Sequence, residues 1–296
     1  MSRKAPIVVL CLSGVLLLGL LAFNYLVKPP TAEAASASSA RIGAVVGQVE
    51  VRKQGAKRWL PAEVGQLMVA GDEIRTGLFS EATLRVRGES SVVVSSNTSF
   101  VIGKEMLDKS FFKLGAGQIS AAIPTTASRE YQFGSHGSDA VAAAKSGEFS
   151  LSSDGRGTVV LDTQAGKVRL RAKGKEVVVR KGRRSVVFPD KSPSKPLTIP
   201  SSVALQVKWP PGKLDRTKTS VSGKTGAGSL VMINGILARA DALGKFSLDV
   251  PLREGSNRLV VNVTDNAGNT TTRESGEIKV DTHPPDLKVN AKDLWK

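Results

Sequence analysis

The strongest candidate for chemistry in this sequence is a cluster of basic side chains between residues 167 and 184. It holds Lys167, Arg169, Arg171, Lys173, Lys175, Arg180, Lys181, Arg183 and Arg184. The only acidic residue among them is Glu176. Ammonium and guanidinium groups at this density attract polymers of phosphate or carboxylate, and salt weakens such attraction. The stretch is therefore a candidate for binding an anionic surface.

The spacing of these cations indicates a β-hairpin. From 167 to 173 every second residue is basic, so these side chains project from one face of a strand. The pair Lys173-Gly174 predicts a turn, and the run 177–179 of three valines predicts the returning strand. The alternative is a solubilising strand face, because exposed edge strands often carry Lys and Arg.

The remaining reactive side chains offer little catalytic or cofactor chemistry. The two histidines, His136 and His283, lie far apart, and a single cysteine excludes an intrachain disulfide and a cysteine-built zinc site. The turn 265–269 lacks the alternating ligands and the distant glutamate of a calcium loop. No glycine-rich phosphate loop followed by Lys-Ser/Thr is present. We therefore expect a protein without enzymatic activity, cofactor or metal.

Length and composition indicate the number of domains and the charge of the binding partners. The 296 residues suffice for about two domains, and 41% hydrophobic with 23% charged residues is ordinary for a globular protein. The formal net charge of +16 favours anionic partners.

The elements that position the basic side chains are predicted to be strands. Period-two alternation, as in 82–87 and 148–152, and short valine-rich runs indicate an all-β protein. Four prolines, Pro189, Pro193, Pro196 and Pro200, mark a linker at 189–200. The predicted domains are therefore 41–188 and 201–284. The Ala-rich segment 140–145 is compatible with either a strand or a single helical turn.

The N-terminal segment predicts a membrane anchor. Residues 7–27 carry no charge and are long enough to span a bilayer as a helix. Arg3 and Lys4 precede this run, which places the stub 1–6 in the cytoplasm and the bulk of the chain outside. An Ala/Ser/Pro-rich tether follows at 28–40. The alternative is a cleaved signal peptide, since Ala-x-Ala patterns at 32–37 fit a cleavage site.

The first predicted domain resembles the FecR domain family. Its marks are Gly71-Asp72-Glu73-Ile74-Arg75-Thr76 followed by Ser80-Glu81-Ala82-Thr83-Leu84, with 43–51 and Trp59 upstream. The resemblance covers about 43–102 well and 103–188 more weakly. It implies an all-β periplasmic domain, solenoid-like or a sandwich, of the kind found in envelope signalling and binding proteins. Only residues 1–6 precede the predicted span, too few for a partner-sized interface, so signalling is expected to need a separate membrane protein.

The second predicted domain resembles bacterial Ig-like modules over nearly all of 201–285. The motifs are Val231-Met232-Ile233-Asn234-Gly235, Gly244-Lys245-Phe246-Ser247, Asp265-Asn266-Ala267-Gly268-Asn269 and Asp281-Thr282-His283-Pro284-Pro285. The resemblance implies a β-sandwich of about seven strands. The tail 285–296 is predicted to be a closing strand or loose.

These expectations combine into a non-catalytic, single-pass protein of a bacterial inner membrane, with its bulk in the periplasm. It is expected to bind or scaffold envelope partners, either proteins or anionic glycans and lipids, and its location disfavours nucleic acid. One alternative is a FecR-type signalling regulator that acts through a separate membrane protein. Another is a secreted carbohydrate-associated accessory protein, which cleavage near Ala35 would favour.

Overall fold

The structure of the protein is a computed structural model that describes residues 38–87, 90–241 and 243–283. Every regular element among these residues is a β-strand, which confirms the all-β prediction. None of them forms a helix of the length and hydrophobicity needed to cross a bilayer. The predicted stub 1–6, span 7–27, most of the tether 28–40 and the tail 285–296 lie outside the described residues.

The first domain contains the strands up to residue 198. They are β1 (Ser38–Val46), β2 (Val49–Arg52), β3 (Leu60–Pro61), β4 (Leu67–Val69), β5 (Glu73–Thr76), β6 (Glu81–Val86), β7 (Ser90–Val94), β8 (Ser99–Glu105), β9 (Lys109–Leu114), β10 (Gly117–Ile123), β11 (Glu130–Ser135), β12 (Val141–Ala144), β13 (Gly147–Ser153), β14 (Val159–Ala172), β15 (Lys175–Arg180), β16 (Arg183–Val187) and β17 (Leu197–Thr198).

Hydrogen bonds join these strands into one sheet that curls into two layers. The first layer runs β1-β6-β7-β10-β13-β14-β16-β17. The second layer runs β3-β2-β5-β8-β9-β11-β12-β14-β15. The long strand β14 belongs to both layers, because residues 159–163 pair with β16 and residues 167–172 pair with β15. Only β9 and β11 pair in parallel among these ladders.

Aromatic side chains hold the two layers together. Phe112 and Phe133 stack in the second layer with ring centroids 5.1 Å apart. Phe133 meets Phe149 of β13, in the first layer, edge to face at 5.4 Å. Aromatic pairs of this geometry contribute about 0.5–1.5 kcal/mol beyond the area that they bury. The buried core of this domain extends from Ala40 to Val187.

The centre of the Ala-rich segment 140–145 forms strand β12 (Val141–Ala144) rather than a helical turn. It pairs with β11 on one side and with β14 on the other. Ladder hydrogen bonds on both edges outweigh the intrinsic helix preference of alanine. Ala142 and Ala144 face the core, while Ala143 lies between them on the opposite face.

The second domain has three smaller sheets. Its strands are β18 (Gln206–Lys208), β19 (Lys213–Leu214), β20 (Lys218–Lys224), β21 (Leu230–Ile233), β22 (Ile236–Arg239), β23 (Lys245–Pro251), β24 (Gly255–Asn257), β25 (Val260–Thr264), β26 (Thr270–Glu274) and β27 (Ile278–Val280). The sheets are β18-β20-β23, β19-β27-β24 and β22-β21-β25-β26. They enclose a second hydrophobic core that includes Val231, Phe246 and Val263.

Candidate anion-binding face

The β14–β15 hairpin has the alternation that the sequence predicts. Lys167, Arg169 and Arg171 are exposed, whereas the residues between them are buried in the core. Lys173 and Gly174 form the turn with φ of 49° and 70°, a left-handed conformation that suits a two-residue hairpin loop. Lys167, Arg169 and Arg171 therefore project from one face of the second layer.

Neighbouring strands extend this surface into a larger basic face. Two adjoining depressions, of about 390 and 470 Å³, lie beside the hairpin. Around them, the hairpin cations are joined by one cation in β9, one directly before β11 and one directly after β12. The floor is made of small side chains such as Val141 and Ala143. We call this surface the basic face; its cations are Lys109, Arg129, Lys145, Lys167, Arg169, Arg171 and Arg180, and its acids are Asp108, Glu130 and Glu176.

Most cations of the basic face are not neutralised. Arg169 forms an ion pair with Glu130, which also accepts a hydrogen bond from Gln132 at 2.6 Å. Among the described residues, no carboxylate oxygen lies within 4.0 Å of the charged groups of Lys109, Lys145, Lys167, Arg171 or Arg180. These five groups are consequently available to an anionic partner.

The other predicted cations lie away from the centre of this face. Lys173 is at the far end of the hairpin, 3.1 Å from Asp190, whose hydrogen bond and charge raise the pKa of the Lys173 ammonium. Lys175 is exposed beside the same turn. At the near end, Lys181 lies in the β15–β16 turn, and Arg183 donates a 3.0 Å hydrogen bond to Thr198.

Arg184 does not belong to the basic face, which corrects its assignment from the sequence. Its guanidinium makes two 2.7 Å hydrogen bonds to the buried carboxylate of Asp162. It also lies 3.5 Å from Asp265 of the second domain. Adjacent residues of a strand point to opposite faces, so Arg183 is exposed while Arg184 points into the joint between the domains.

Burial and ion pairing oppose each other in this joint, and burial prevails at Asp162 whereas ion pairing prevails at Arg184. It raises the pKa of the Asp162 carboxyl, and the hydrogen bonds and charge of Arg184 only partly oppose that shift. Burial lowers the pKa of Arg184, but hydrogen bonding and charge from Asp162 and Asp265 outweigh it, so that pKa is raised overall. The joint therefore depends on a guanidinium held between two carboxylates.

A separate cleft, of about 980 Å³, lies where the two domains meet. Asp154 and Arg156 of the first domain line it together with residues of β18, β20, β22 and β23. Arg239 in this cleft donates a 2.9 Å hydrogen bond to the carbonyl oxygen of Gly228. Burial lowers the pKa of Arg239 to about 10.

The residues that could ligate a metal form one exposed trio within the described part of the chain. Candidate ligand atoms of Glu254, Asp281 and His283 lie within 4.8 Å of one another. Thr282 donates hydrogen bonds to both oxygens of Glu254, and the amide of His283 donates one to Asp281, so both carboxylates already have partners within the protein. Asp265 behaves similarly, because its carboxylate accepts the amide hydrogens of Ala267 and Asn269. The structure thus assigns these groups a local structural role.

Asp72, in the segment that resembles FecR domains, also has a structural role. Its carboxylate is buried and accepts hydrogen bonds from the amides of Gln54 and Val69 at 3.0 Å. The ammonium of Lys53 lies 2.7 Å away. The carboxylate thereby fixes the turn before β5, as expected for an aspartate that satisfies neighbouring amides.

Sequence reasoning missed the cations that precede residue 167. Lys109, Arg129 and Lys145 come from three separate segments, and nothing in their spacing relates them to the hairpin. They join it because β9, β11, β12 and β14 are consecutive in the second layer. The signal that could have found them is the strand pairing, which a single sequence does not contain.

Comparison with known proteins identifies the second domain. Residues 214–282 match the family described as a bacterial Ig-like domain, which confirms the Ig-like prediction. That match lies outside residues 43–102, whose resemblance to FecR domains stays a prediction. No curated protein matches this sequence.

Likenesses to solved structures are weak. Two crystal structures of a protein from Parabacteroides distasonis ATCC 8503, provisionally described as an anti-sigma factor, align with TM-scores of 0.36 and identities of 11% and 10%. The alignments cover 43% of this chain and 58% of that one. A polysaccharide lyase aligns with a TM-score of 0.21 and 10% identity over 82% of this chain and 40% of the lyase chain. TM-scores this low identify neither an overall fold nor a function.

Proposed function

We propose that this protein is a non-catalytic, membrane-anchored binding protein of the bacterial envelope, with its folded domains in the periplasm. Its basic face would hold a partner rich in phosphate or carboxylate. The observation that carries this proposal is the set of five cations, Lys109, Lys145, Lys167, Arg171 and Arg180, that lack a carboxylate within 4.0 Å among the described residues.

The shape of the basic face supports an extended partner rather than a small substrate. The two depressions adjoin along a shared side that is lined by Glu130, Ala143, Lys145 and Arg169. Small side chains on the floor allow a polymer or a layer of headgroups to approach the surrounding cations. A set of like charges on one face raises the local concentration of anions and speeds their association, with a strong dependence on ionic strength.

The membrane anchor predicted from residues 7–27 would make weak electrostatic contacts sufficient for binding. A short tether holds the domains at high effective concentration beside any partner in the same envelope layer. Contacts that would be too weak between free molecules then suffice. The Ig-like domain would add edges and loops for protein or glycan partners.

A second candidate is an envelope regulator of the FecR type that acts through a separate membrane protein. The observation that favours it is the motif resemblance of 71–84, in the first domain. Such a regulator would relay a signal through its partner, whereas a binding protein needs only its basic face. Crosslinking in intact cells separates the two, because the regulator requires a specific inner-membrane protein near the N-terminal segment.

The proposal is tested with the full chain in nanodiscs of zwitterionic lipid, using fluorescent polyphosphate and polygalacturonate as probes. We expect binding that weakens steeply as salt rises. Replacing Lys145, Lys167, Arg171 and Arg180 with serine should weaken it at least about tenfold. Undiminished binding by this variant would remove the basic face from the function.

The matched control changes four exposed lysines of the second domain, Lys208, Lys213, Lys245 and Lys279, to serine. It removes the same net charge from a different surface. Near-native binding by this control would show that position matters. Equal losses in both variants would mean that only total charge matters, and would contradict a specific basic face.

A further inference from the structure

The β8–β9 hairpin presents an apolar tip to solvent. Leu107 is 101% exposed relative to its reference accessibility, and Met106 is 60% exposed. Two adjacent exposed apolar side chains with charged residues around them are a small version of the rimmed apolar patches that contact proteins or membranes.

Hydrogen bonds hold the hairpin tip in a defined position. The amide of Met106 donates to the carbonyl oxygen of Lys109 at 2.8 Å, and the amide of Glu130 donates to that of Asp108 at 2.9 Å. Arg129 donates to the carbonyl oxygens of Met106 and Leu107, at 3.2 and 2.8 Å. The apolar tip is therefore a built feature of the second layer.

The cations of the basic face converge on the same end of the domain. In the second layer Lys109 pairs with Glu130, and Lys167 pairs with Arg180. Extending the β11–β12 and β12–β14 pairings past the end of β12 places Lys145 between Glu130 and Lys167. This row of the sheet begins at Lys109, directly after the hairpin tip. A fully exposed leucine thus lies beside a row of five residues, of which four are cations and the fifth, Glu130, forms an ion pair with Arg169.

The chain also enters the first domain at this end. Ala40 of β1 pairs with Val86, the last residue of β6. The next residue, Arg87, binds Glu105, which directly precedes Met106. Residues 38–40 of the predicted tether belong to β1, so the remaining residues 28–37 can reach at most about 36 Å even when fully extended. The hairpin end of the domain is therefore the end nearest in sequence to the predicted membrane span.

We propose that this end of the first domain docks on the anionic lipid headgroups of the membrane that anchors the chain. Leu107 and Met106 enter the interface, and the four cations of the row, Lys109, Lys145, Lys167 and Arg180, contact lipid phosphates. This inference rests on the proposed function and names its partner. Stable membrane contact generally needs two signals, and an apolar tip beside basic residues supplies both. Each basic residue near an anionic membrane adds about fivefold to partitioning.

The opposite end of the domain provides the comparison. Leu78 and Phe79, in the turn between β5 and β6, are also exposed, at 42% and 69%. They lie near Val46, because β1 and β6 pair there through Val46 and Glu81. This second apolar tip is at the far end of β1 from Ala40. The proposal requires that only the Leu107 tip contacts lipid.

The test uses the full chain with Cys11 changed to serine, reconstituted into nanodiscs of phosphatidylcholine with or without phosphatidylglycerol. A single cysteine replaces either Leu107 or Phe79 and carries an environment-sensitive fluorophore. Spin-labelled lipid chains serve as quenchers. We expect at least twofold stronger quenching at position 107 in anionic discs than in neutral discs, reversed by high salt. Position 79 should be quenched in neither.

Two outcomes would overturn the inference: no quenching at position 107, or equal quenching at 107 and 79. Serine at Lys109, Lys145, Lys167 and Arg180 should abolish the difference between anionic and neutral discs; if the difference persists, the electrostatic part is wrong. Polyphosphate and polygalacturonate binding, measured on the same samples, separates the two proposals. Binding of these probes without quenching at 107 would leave the proposed function standing and assign the face to a soluble anionic polymer.

Discussion

The guanidinium of Arg184 in the first domain lies 3.5 Å from the carboxylate of Asp265 in the second. The same guanidinium makes a two-pronged contact with Asp162 of its own domain. One arginine therefore joins two buried carboxylates across the joint, beside a hydrogen bond of 3.4 Å from Gln118 to the carbonyl oxygen of Asn266. The two domains are connected by specific polar contacts as well as by the chain.

Arg184→Met should destabilise the protein by about 3–5 kcal/mol, because it leaves Asp162 and Asp265 buried without a counter-charge. The measurement is denaturant unfolding of the full chain in neutral nanodiscs, followed by tryptophan fluorescence. The control is Lys218→Met, which breaks an exposed pair with Asp249 and should cost at most about 1 kcal/mol. Similar losses in the two variants would show that the joint is energetically no different from a surface ion pair.

Asp162→Asn should change the pH dependence of stability. Burial raises the pKa of Asp162 in the folded protein. Such a carboxyl binds its proton more readily in the native state than in the unfolded chain, so its contribution favours folding at acid pH and is lost as pH rises through the folded-state pKa. Asparagine mimics the protonated form at every pH.

The free energy of unfolding of Asp162→Asn, relative to the native protein, should therefore increase between about pH 3 and pH 7. Unfolding curves at several pH values in that window give the difference directly. A relative stability that falls with rising pH would mean that the ion pair with Arg184 outweighs desolvation, and would reverse the assigned sign.

The sequence predicted the local pattern of the basic face well. Alternation alone placed Lys167, Arg169 and Arg171 on one side of a strand, because strand side chains alternate wherever the pairing partner lies. The turn at Lys173-Gly174 was equally local, since glycine accepts a positive φ. These features need no knowledge of tertiary structure.

The parts that the sequence did not predict depend on packing between distant segments. The sequence predicts Arg184 to be a surface cation because it lies in a run of basic residues. Its position is decided instead by Asp162 and by Asp265 of the other domain. Lys109 and Lys145 reach the hairpin only through β11 and β12. Pairings over such separations follow from the fold as a whole and leave no periodic trace in the sequence.

Gly103→Ala should destabilise the first domain by about 1–3 kcal/mol. A Cβ at this position would lie 2.4 Å from the carbonyl oxygen of Phe111 on the paired strand β9. The backbone must shift to relieve that contact, near the irregular register between Ile102 and Glu105. Thermal unfolding measures the effect. Gly212→Ala, whose Cβ would meet Glu277 at an ordinary 3.6 Å, should be close to neutral; equal effects of the two changes would refute the steric explanation.

Arg129→Gln should loosen the hairpin that carries Leu107 without unfolding the domain. The guanidinium bonds two carbonyl oxygens of the tip and, at 3.0 Å, the hydroxyl of Ser110. Arg129 also lies 3.4 Å from Glu105, but Glu105 keeps its partner Arg87 in the variant, so the loss should stay local. Hydrogen bonds to charged groups contribute about 1.5–3 kcal/mol each, so the amides of 106–109 should exchange with solvent at least about tenfold faster.

Hydrogen exchange of the full chain in neutral nanodiscs, read by mass spectrometry, tests this prediction. Arg171→Gln is the matched control, because it removes an exposed guanidinium from the same basic face without touching the hairpin. Exchange at 106–109 should be unchanged in that control. If Arg129→Gln also leaves it unchanged, backbone hydrogen bonds alone hold the tip. The tip would then be expected to keep its lipid contact in the variant, whereas a tip held by Arg129 should lose most of the quenching at position 107 in anionic discs.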